Sequence, residues 1–336
     1  MKIFVVGGGA FPTAMAELCA RLGLGYEVSQ WYSTHDYLHL EMLLKLQRLE
    51  RKENYLYLPR VELHKNIDFT DKFDATRTAD IIFLGQPSKF SWQPFLEIAK
   101  FLPENSKSIV VLLSKGFASG ETIPLGVKTA NHLKSELGFY NFAVLSGPTF
   151  AKDILVPNKA RFVSLASRNL QTIQRLKRAF VNSDLYFVGT TDVTGVSMGG
   201  ALKNAYAIGY GVLAGVGAVA DFLEKYIWER ALPEMKVFLD LAGAHPKTLH
   251  SPAVAADFAV TCHGDSRNKK FGEFLAKFQK KEDIDLRFQR ITVEGYDAMK
   301  TLYHISATNR LFTPILYKIH DICELGANPS TILDLF

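Results

Sequence analysis

Lys203 is the only charged residue among the 28 that separate Asp192 from Asp221. Lysine is almost never fully buried without a partner. An ammonium group in apolar surroundings has a lowered pKa, and such a lysine can take up or release a proton near neutral pH. The chemistry that this residue suggests is therefore proton transfer.

The segment around this lysine, GVSMGGALKNAYAIGYGVLAG at 195–215, allows three interpretations. A transmembrane helix would need about 18 or more apolar residues, but a central lysine costs roughly 2.5–3.5 kcal/mol there. A core helix could let its lysine reach back to the surface. A buried helix could instead present Lys203 to an active-site cavity. We favour the third, because the side chain would lean over Gly199 and Gly200, which leave a bare notch that a lysine reaching a ligand needs.

Two later segments supply polar partners for this chemistry. Asp257 and Thr261 lie four residues apart in an apolar context. The segment DSRN at 265–268 begins a helical pattern, and Asp265 or Ser266 can cap that helix. The arginine that follows would lie on the first turn, where the helix dipole already favours an anion. These are the parts of a phosphate site, and a capped helix with a solvated arginine is the alternative.

The glycine-rich segment VVGGGAFPTA lies between the first predicted strand and the first predicted helix. Gly7 would make the tight turn, and Gly9 would let the backbone approach a pyrophosphate at the helix N-terminus. Pro12 replaces the third glycine of the G-x-G-x-x-G pattern; a first helical turn tolerates proline, but proline cannot give the close helix–strand packing of glycine. The segment predicts a dinucleotide site, and a glycine-rich turn without a ligand is the alternative.

The residues at the end of the second strand usually decide between NAD and NADP. An acidic residue there binds the ribose hydroxyls, whereas a basic residue holds the 2′-phosphate. The segment QWYSTHD at 30–36 has neither in the expected place. We therefore expect NAD or NADP as the cofactor, with the preference left open.

Alternating strand and helix patterns surround these residues in the first half of the chain. A doubly wound, mainly parallel, Rossmann-like sheet over 1–190 is predicted, followed by an all-α domain over 191–336. The predicted strands are 2–6, 26–31, 81–84, 108–113, 142–145, 162–166 and 185–188. The predicted helices of the first half are 13–22, 36–52 and 91–102. In the second half, residues 192–240, 267–281 and 292–335 are helical in period, with loops at 243–252 and 326–329.

The composition limits the class of protein. The net charge of +5 is mild, and the densest basic run, which includes Lys269, Lys270, Lys277, Lys280 and Lys281, is interrupted by an acid. That run predicts a solvated helix face, although a small anionic ligand would suit it equally, and we expect no nucleic-acid partner.

The three cysteines are far apart, which argues against disulfides and a metal site and for a reducing compartment. The start MKIFVV has the length of a strand, not of a signal peptide, so a cytoplasmic location is expected.

Taken together, these segments resemble the NAD(P)-dependent sn-glycerol-3-phosphate dehydrogenases of the soluble bacterial type. The resemblance runs from residue 1 to about 335, and its most specific parts are GGALKN, GPTFA and SRN. The other matching segments are GGGAFPTA, LPRVELHKNIDFT, ADIIFLGQPS, LLSKGF, LSGPTFAKDI, DFAVTCHGDSRNKKFG and VEGYDAMK.

The resemblance implies roles for individual residues. Lys203 is expected to be the catalytic base, with Lys115 as a second active-site lysine and Asp257 and Thr261 as their polar partners. The implied substrate-binding residues are Lys115, Gly147, Thr149, Lys203, Asp257, Ser266, Arg267 and Asn268. The implied cofactor-binding residues are Gly7, Gly9, Ala10, Phe11, Ser33, Lys115, Ala151, Arg267 and Glu294.

The sequence also departs from the family pattern. Ser33 stands where members often carry a basic residue, and the glycine that precedes the acid is replaced in AVAADF. The turn after the lysine helix is VGAVADFLEKYIWERALPEM, and the spacing from Cys262 to Arg267 is one residue shorter than the resemblance implies. These departures bear on cofactor preference and loop geometry.

The implied activity is reversible reduction of dihydroxyacetone phosphate to sn-glycerol 3-phosphate, which feeds glycerophospholipid synthesis. The implied partner is a small phosphorylated substrate; a homodimer is allowed for, although the sequence does not fix the oligomeric state. Two alternatives stay open: a related reductase of a 2-keto or 2-hydroxy acid, and a nucleotide sensor on a drifted scaffold. The retention of both lysines, the acid and the arginine argues against the sensor.

Overall fold

The structure, a computed structural model, describes residues 1–48, 52–102, 106–139, 141–277 and 292–336. These residues fall into two units. The N-terminal unit consists of Met1–Ser114, Gly126–Leu145 and Thr149–Val193. The C-terminal unit consists of Thr194–Phe336 together with two short segments from earlier in the chain, Lys115–Leu125 and Ser146–Pro148.

An eight-stranded sheet forms the centre of the N-terminal unit, in the order β3-β2-β1-β4-β5-β6-β7-β8. The pairings from β3 through to β6, and that of β7 with β8, are parallel. The predicted doubly wound fold is therefore confirmed. The strands are β1 Lys2–Val6, β2 Glu27–Trp31, β3 Ile67–Thr70, β4 Ile81–Leu84, β5 Ile109–Leu112, β6 Phe142–Ser146, β7 Arg161–Ala166 and β8 Leu185–Thr190.

The strand β3 was missing from the sequence-based prediction. It is four residues long, lies at the edge of the sheet and buries only Ile67 fully. A short, half-exposed edge strand lacks the continuous apolar run that marks the buried parallel strands β1, β4 and β5. The error thus concerns the one end of the sheet where the hydrophobic pattern is weakest.

Helices connect these strands. They are α1 Ala10–Arg21, α2 Tyr37–Gln47, α3 Ser88–Ala99, α4 Leu125–Leu137 and α5 Leu170–Ala179. The helix predicted at 91–102 begins three residues earlier, because Pro87 ends the extended chain and Ser88 opens the first turn. The helix predicted at 13–22 begins at Ala10, with Gly9 as its N-cap.

The order of the strands reverses at β1, which lies between β2 and β4. Ligands of open parallel sheets bind beyond the carboxyl ends of the strands at this kind of reversal. The glycine loop follows β1, and Gly85 follows β4. The topology therefore places both segments at the expected dinucleotide position.

The C-terminal unit is helical in the part of the chain that the structure describes. Its helices are α6 Val193–Gly215, α7 Ala220–Lys225, α8 Leu232–Leu241, α9 Asp257–His263, α10 Arg267–Lys277, α11 Glu294–Asn309 and α12 Pro314–Glu324. Two π-helical turns, Tyr226–Ala231 and Pro252–Ala256, precede α8 and α9. The stretch 192–240, helical in period, is divided into three helices by residues 216–219 and by a π-helical turn. Residues 278–281 of the stretch 267–281 lie outside the described residues.

Glycines let α6 cross α10 at close range. A Cβ on Gly211 would lie 2.0 Å from the Lys269 carbonyl oxygen, and a Cβ on Gly272 would lie 2.0 Å from that of Ile208. Residues 195–213 of α6 are buried on every side of the helix. The helix is therefore the centre of this unit, which explains its lack of charged residues. Of the helices that the structure describes, none is long and apolar enough to cross a membrane.

Candidate active site

Lys203 is buried near the middle of α6, with 7% of its surface exposed. Its Nζ donates hydrogen bonds to Asp257 Oδ1 and to Thr261 Oγ1, each at 2.9 Å. The lysine therefore does not extend to the surface, and the interpretation as a lysine that reaches back to solvent is wrong. Its charge is balanced inside the unit.

Asp257 joins two lysines. Its second carboxylate oxygen, Oδ2, accepts a hydrogen bond from Lys115 Nζ at 2.6 Å, and the same ammonium donates to the Gly147 carbonyl oxygen at 3.1 Å. Asp257 is 2% exposed and Thr261 is 3% exposed. We call Lys203, Lys115, Asp257 and Thr261 the lysine–aspartate cluster.

The local fold explains how the cluster forms. The π-helical turn Pro252–Ala256 leads directly into α9, which places Asp257 on its first turn and Thr261 one turn later on the same face. Thr261 Oγ1 also donates to the Asp257 carbonyl oxygen at 2.6 Å, so its remaining lone pairs are left to accept from Lys203. The hydroxyl thereby fixes the direction of the lysine.

Electrostatics set the proton affinity of Lys203. Burial lowers the pKa of its ammonium group, and the positive charge of Lys115 lowers the pKa further, while Asp257 opposes both effects. Two ammonium groups and one carboxylate leave the cluster with one net positive charge. A lysine in these conditions is a stronger acid than a solvated one, and it is suited to giving a proton to an oxygen that becomes negative.

The two glycines before Lys203 serve a different purpose from the one predicted. A Cβ on Gly199 would lie 2.3 Å from Val254 Cγ2, and a Cβ on Gly200 would lie 3.1 Å from Lys115 Cβ. The notch is therefore filled by the π-helical turn and by the stem of the second lysine. The absence of a side chain at Gly200 lets Lys115 come close to α6. The prediction of an empty space under the Lys203 stem was wrong.

Asn204 is a polar residue of this site that the sequence analysis missed. Its Nδ2 donates to the Lys115 carbonyl oxygen at 3.3 Å, and its Oδ1 accepts from Asn268 Nδ2 at 2.8 Å. Asn268 Oδ1 in turn accepts from the Gly295 N–H at 3.0 Å. The signal was present, because Asn204 is an amide in an otherwise apolar helix, but the sequence did not reveal its partners.

The start of α10 carries the predicted phosphate ligands. Ser266 is the residue that caps the helix, since its Oγ accepts from the Lys269 N–H at 3.1 Å, whereas the carboxylate of Asp265 lies 2.5 Å from Lys270 Nζ. Arg267 is exposed and makes no hydrogen bond or ion pair to any residue within the described ranges. Asn268 is buried and links α6 to α11, so its amide has structural partners as well. Their binding roles stay predictions.

The glycine loop is shaped for a close approach by a ligand. Gly7 has a φ of +119°, a conformation that side-chain-bearing residues rarely adopt, and a Cβ on Gly8 would lie 2.4 Å from the Tyr32 ring. A Cβ on Gly9 would come no closer than 3.8 Å to any described atom outside its neighbours, namely to Pro12 Cγ. The fold itself therefore leaves room at Gly9, and a glycine there keeps the backbone accessible from outside.

Pro12 does achieve close packing, contrary to the sequence-based expectation. It lies on the first turn of α1 and is buried. A Cβ on Gly85 would lie 2.7 Å from Pro12 Cβ, so the close contact depends on a glycine in the segment after β4. The glycine that permits close packing is therefore at position 85, after the strand, and not at position 12 in the helix.

Ser33 and Thr34, close after β2, carry hydroxyl groups instead of a basic side chain. Ser33 Oγ accepts from the His35 N–H at 3.4 Å, and Asp36 caps α2 by accepting from the Leu38 N–H at 2.8 Å.

The other predicted site residues lie in several elements. Ala10 and Phe11 form the start of α1, Thr149 and Ala151 belong to the N-terminal unit, and Glu294 opens α11. The structure thus brings Lys203, Lys115, Asp257, Thr261 and Gly147 together, and no ligand contact tests the remaining positions.

Comparisons with known proteins identify relatives of this chain. The family model described as NAD-dependent glycerol-3-phosphate dehydrogenase N-terminus matches residues 2–188, and the model of the C-terminus of the same family matches residues 192–334. A glycerol-3-phosphate dehydrogenase (NAD(P)+) from Teredinibacter turnerae is 29% identical over 329 residues, which are 97% of this chain and 91% of the relative.

Solved structures share the fold over nearly the whole chain. A glycerol-3-phosphate dehydrogenase from Coxiella burnetii has a TM-score of 0.86 at 23% identity and covers 99% of this chain and 98% of its own. A ketopantoate reductase from Ralstonia eutropha has a TM-score of 0.58 at 14% identity, with 99% and 100% covered. The fold is therefore closer to the first of these two structures.

Proposed function

The chain belongs to the NAD-dependent glycerol-3-phosphate dehydrogenase family, and we propose that it reduces dihydroxyacetone phosphate reversibly to sn-glycerol 3-phosphate. It is an NAD(P)-dependent oxidoreductase. The observation that carries the finer proposal is the lysine–aspartate cluster, in which Asp257 holds Lys203 at 2.9 Å and Lys115 at 2.6 Å. No other group in the described part of α6 is charged.

Lys203 is the proton donor of the reduction. As the ketone carbon gains a hydride, its oxygen gains negative charge, and the lowered pKa of Lys203 makes its ammonium group ready to protonate that oxygen. In the oxidation the neutral amine takes the proton of the secondary alcohol. Thr261 and Asp257 orient the Nζ of Lys203 for both the reduction and the oxidation. Lys115 stabilises the negative charge that develops on the substrate oxygen.

The glycine loop is the cofactor site. A positive φ at Gly7, an accessible backbone at Gly9 and the N-terminus of α1 fit a pyrophosphate. When bound, NADH or NADPH supplies the hydride. The chain's own contribution is to bind and orient the cofactor through Gly7, Gly9, Ala10 and Phe11, with further contacts from Ser33, Lys115, Ala151, Arg267 and Glu294.

The start of α10 holds the substrate phosphate. Of the cations there, Lys270 is paired with Asp265 at 2.5 Å and Lys269 lies 3.8 Å from Glu273, whereas Arg267 extends from the first helical turn without an acidic partner in the described ranges. A guanidinium and a helix N-terminus together suit a phosphate. Asn268 and Ser266 lie beside it, and Gly147 and Thr149 complete the substrate loop.

The same proposal assigns the rest of the predicted biology. Residues 1–190 bind the cofactor, and residues 191–336 carry the substrate and the acid–base lysine. The enzyme works in the cytoplasm, as a homodimer, and its product supplies glycerophospholipid synthesis.

The test is a pair of assays with dihydroxyacetone phosphate, one with NADH and one with NADPH, on the wild type and on Lys203→Met. We expect the wild type to oxidise both cofactors and Lys203→Met to lose nearly all turnover. A loss of less than about tenfold means that the activation free energy rises by less than ~1.4 kcal/mol. If the variant retains more than about a tenth of the wild-type rate, Lys203 is not the acid–base residue. If an unphosphorylated 2-keto acid is reduced faster than dihydroxyacetone phosphate, the substrate assignment is wrong.

A further inference from the structure

Two buried amide side chains lie beneath the glycine loop. Gln30 comes from β2 and Asn54 from the segment after α2, and both are 0% exposed. Gln30 Nε2 donates to the Gly7 carbonyl oxygen at 2.8 Å, and Asn54 Nδ2 donates to the Gly8 carbonyl oxygen at 2.7 Å. We call Gln30 and Asn54 the amide brace. The roles assigned to the lysine–aspartate cluster and to the glycine loop do not use them.

The Asn54 amide is held in one orientation by partners on both its nitrogen and its oxygen. Gln30 is held through Nε2 alone, because its buried Oε1 has no hydrogen-bond partner among the described residues. Asn54 Oδ1 accepts from the Tyr57 N–H at 3.1 Å, which turns its Nδ2 toward the loop. Both amide nitrogens also donate to Thr13 Oγ1, each at 2.9 Å, and so tie the loop to the first turns of α1. An amide with two or more fixed contacts cannot turn freely, so the two glycine carbonyls are fixed as well.

The direction of the carbonyls decides the direction of the next N–H groups. In a planar trans peptide the C=O and the following N–H point opposite ways. Because the Gly7 and Gly8 carbonyls face the buried brace, the N–H groups of Gly8 and Gly9 face away from it. Neither of these N–H groups donates to a residue in the described ranges.

Pro12 makes these two donors more important. The first turn of α1 offers the N–H groups of Ala10 and Phe11, but Pro12 has none. An anion at this N-terminus therefore meets one helical donor fewer than it would with a glycine at position 12. The outward N–H groups of Gly8 and Gly9 therefore make up a larger share of the donors available at this N-terminus.

We propose that Asn54 and Gln30 are positioning residues for the cofactor, which hold the Gly8 and Gly9 N–H groups toward the pyrophosphate. The inference rests on the proposed cofactor site at the glycine loop. It predicts that the brace acts on the binding of pyrophosphate-containing ligands and leaves the proton transfer at Lys203 unchanged.

The test compares three variants: Asn54→Ala, Gln30→Met, which keeps the side-chain volume without the donor, and the control Asn141→Ala. Asn141 makes comparable hydrogen bonds, with Asn169 at 3.1 Å and the Ser106 carbonyl at 3.4 Å, just before β6 begins. Dissociation constants for NADH and for ADP-ribose are measured by calorimetry, and unfolding is followed by circular dichroism. Kinetics with dihydroxyacetone phosphate separate kcat from the KM of each substrate.

We expect both brace variants to bind NADH and ADP-ribose at least about tenfold more weakly, with kcat at saturating NADH within about threefold of wild type. Asn141→Ala should unfold more easily but bind both ligands like the wild type. The proposal is overturned if a folded brace variant binds NADH within about threefold of wild type, if Asn141→Ala weakens binding equally, or if both brace variants fail to fold. A wild type that binds NADH but does not reduce dihydroxyacetone phosphate would instead refute the proposed reaction.

Discussion

Asp257 accepts from both lysines through separate oxygens, and this arrangement gives Lys203 a directed ammonium group rather than a freely rotating one. A side chain with one allowed direction loses little entropy when the substrate oxygen arrives. In the proposed reaction these contacts therefore direct the proton of Lys203, and the pH dependence of the rate should reflect its protonation.

The pH profile should follow the protonation of Lys203. Burial lowers its pKa, so the efficiency of ketone reduction should be constant at low pH and fall as the pH rises through a value below the usual 10.5. Alcohol oxidation needs the neutral amine, so it should rise through the same value. The measurement is kcat/KM in both directions between neutral and alkaline pH. A reduction rate that stays level up to the usual lysine pKa would contradict the assignment.

Arg267 should matter far more for phosphorylated substrates than for unphosphorylated ones. A charge-assisted contact to phosphate is worth about 1.5–3 kcal/mol, so Arg267→Ala should lower kcat/KM for dihydroxyacetone phosphate by roughly two orders of magnitude. Activity on unphosphorylated dihydroxyacetone should change much less, and Arg267→Lys should recover part of the loss. Steady-state kinetics on both substrates give the comparison. Equal losses would mean that Arg267 serves the fold or the cofactor.

At the scale of elements, a buried carboxylate connects two helices of the C-terminal unit. Glu234 on α8 accepts from the N–H groups of Ile315 and Leu316, at 2.9 and 2.8 Å, and so caps the start of α12. It also accepts from the Tyr206 hydroxyl at 2.8 Å. Tyr206 lies on α6 three residues after Lys203, so one carboxylate fixes the helix of the lysine to two others.

Replacing this carboxylate should destabilise the unit. In Glu234→Gln one oxygen becomes an NH2 group that faces a backbone N–H, and an unsatisfied buried donor costs about 1–3 kcal/mol. The free energy of unfolding, measured with urea, should fall by that amount. Glu97→Gln is the control, because Glu97 pairs with Lys100 at the surface, where a salt bridge contributes little, and its urea midpoint should stay close to that of the wild type. An unchanged midpoint in Glu234→Gln would show that the cap contributes nothing.

At the scale of the whole molecule, the proposed function assigns cofactor binding and acid–base chemistry to different units. The glycine loop is in the N-terminal unit, and the lysine–aspartate cluster is in the C-terminal unit. NADH at about 100 times its dissociation constant should add about 2.7 kcal/mol to the stability of the wild type. Lys203→Met should keep that gain although its turnover is lost, because Asp257 retains Lys115. Thermal unfolding with and without NADH tests this, and a lost gain would show that Lys203 supports cofactor binding.

Sequence reasoning reached the parallel sheet and Lys203 because both leave strong local signals: continuous apolar strands, and one charge in an apolar helix. It missed β3, whose exposed half has no such signal. It also misjudged Gly199 and Gly200, since helix geometry gives the direction of a missing Cβ but not the neighbour that fills its space. The role of Asn204 was not predicted, because its hydrogen-bond partner Asn268 lies 64 residues away in the sequence and leaves no local pattern.

The contact between Pro12 and Gly85 also constrains how this sequence can change over time. With proline at position 12, alanine at position 85 would place its methyl group 2.7 Å from a ring carbon. With glycine at position 12, the same alanine would meet no ring. The order of substitution is therefore restricted: alanine at position 85 fits without a clash only after Pro12 has been replaced. A change that is harmless in one relative would be damaging in another, although neither position touches the reacting atoms.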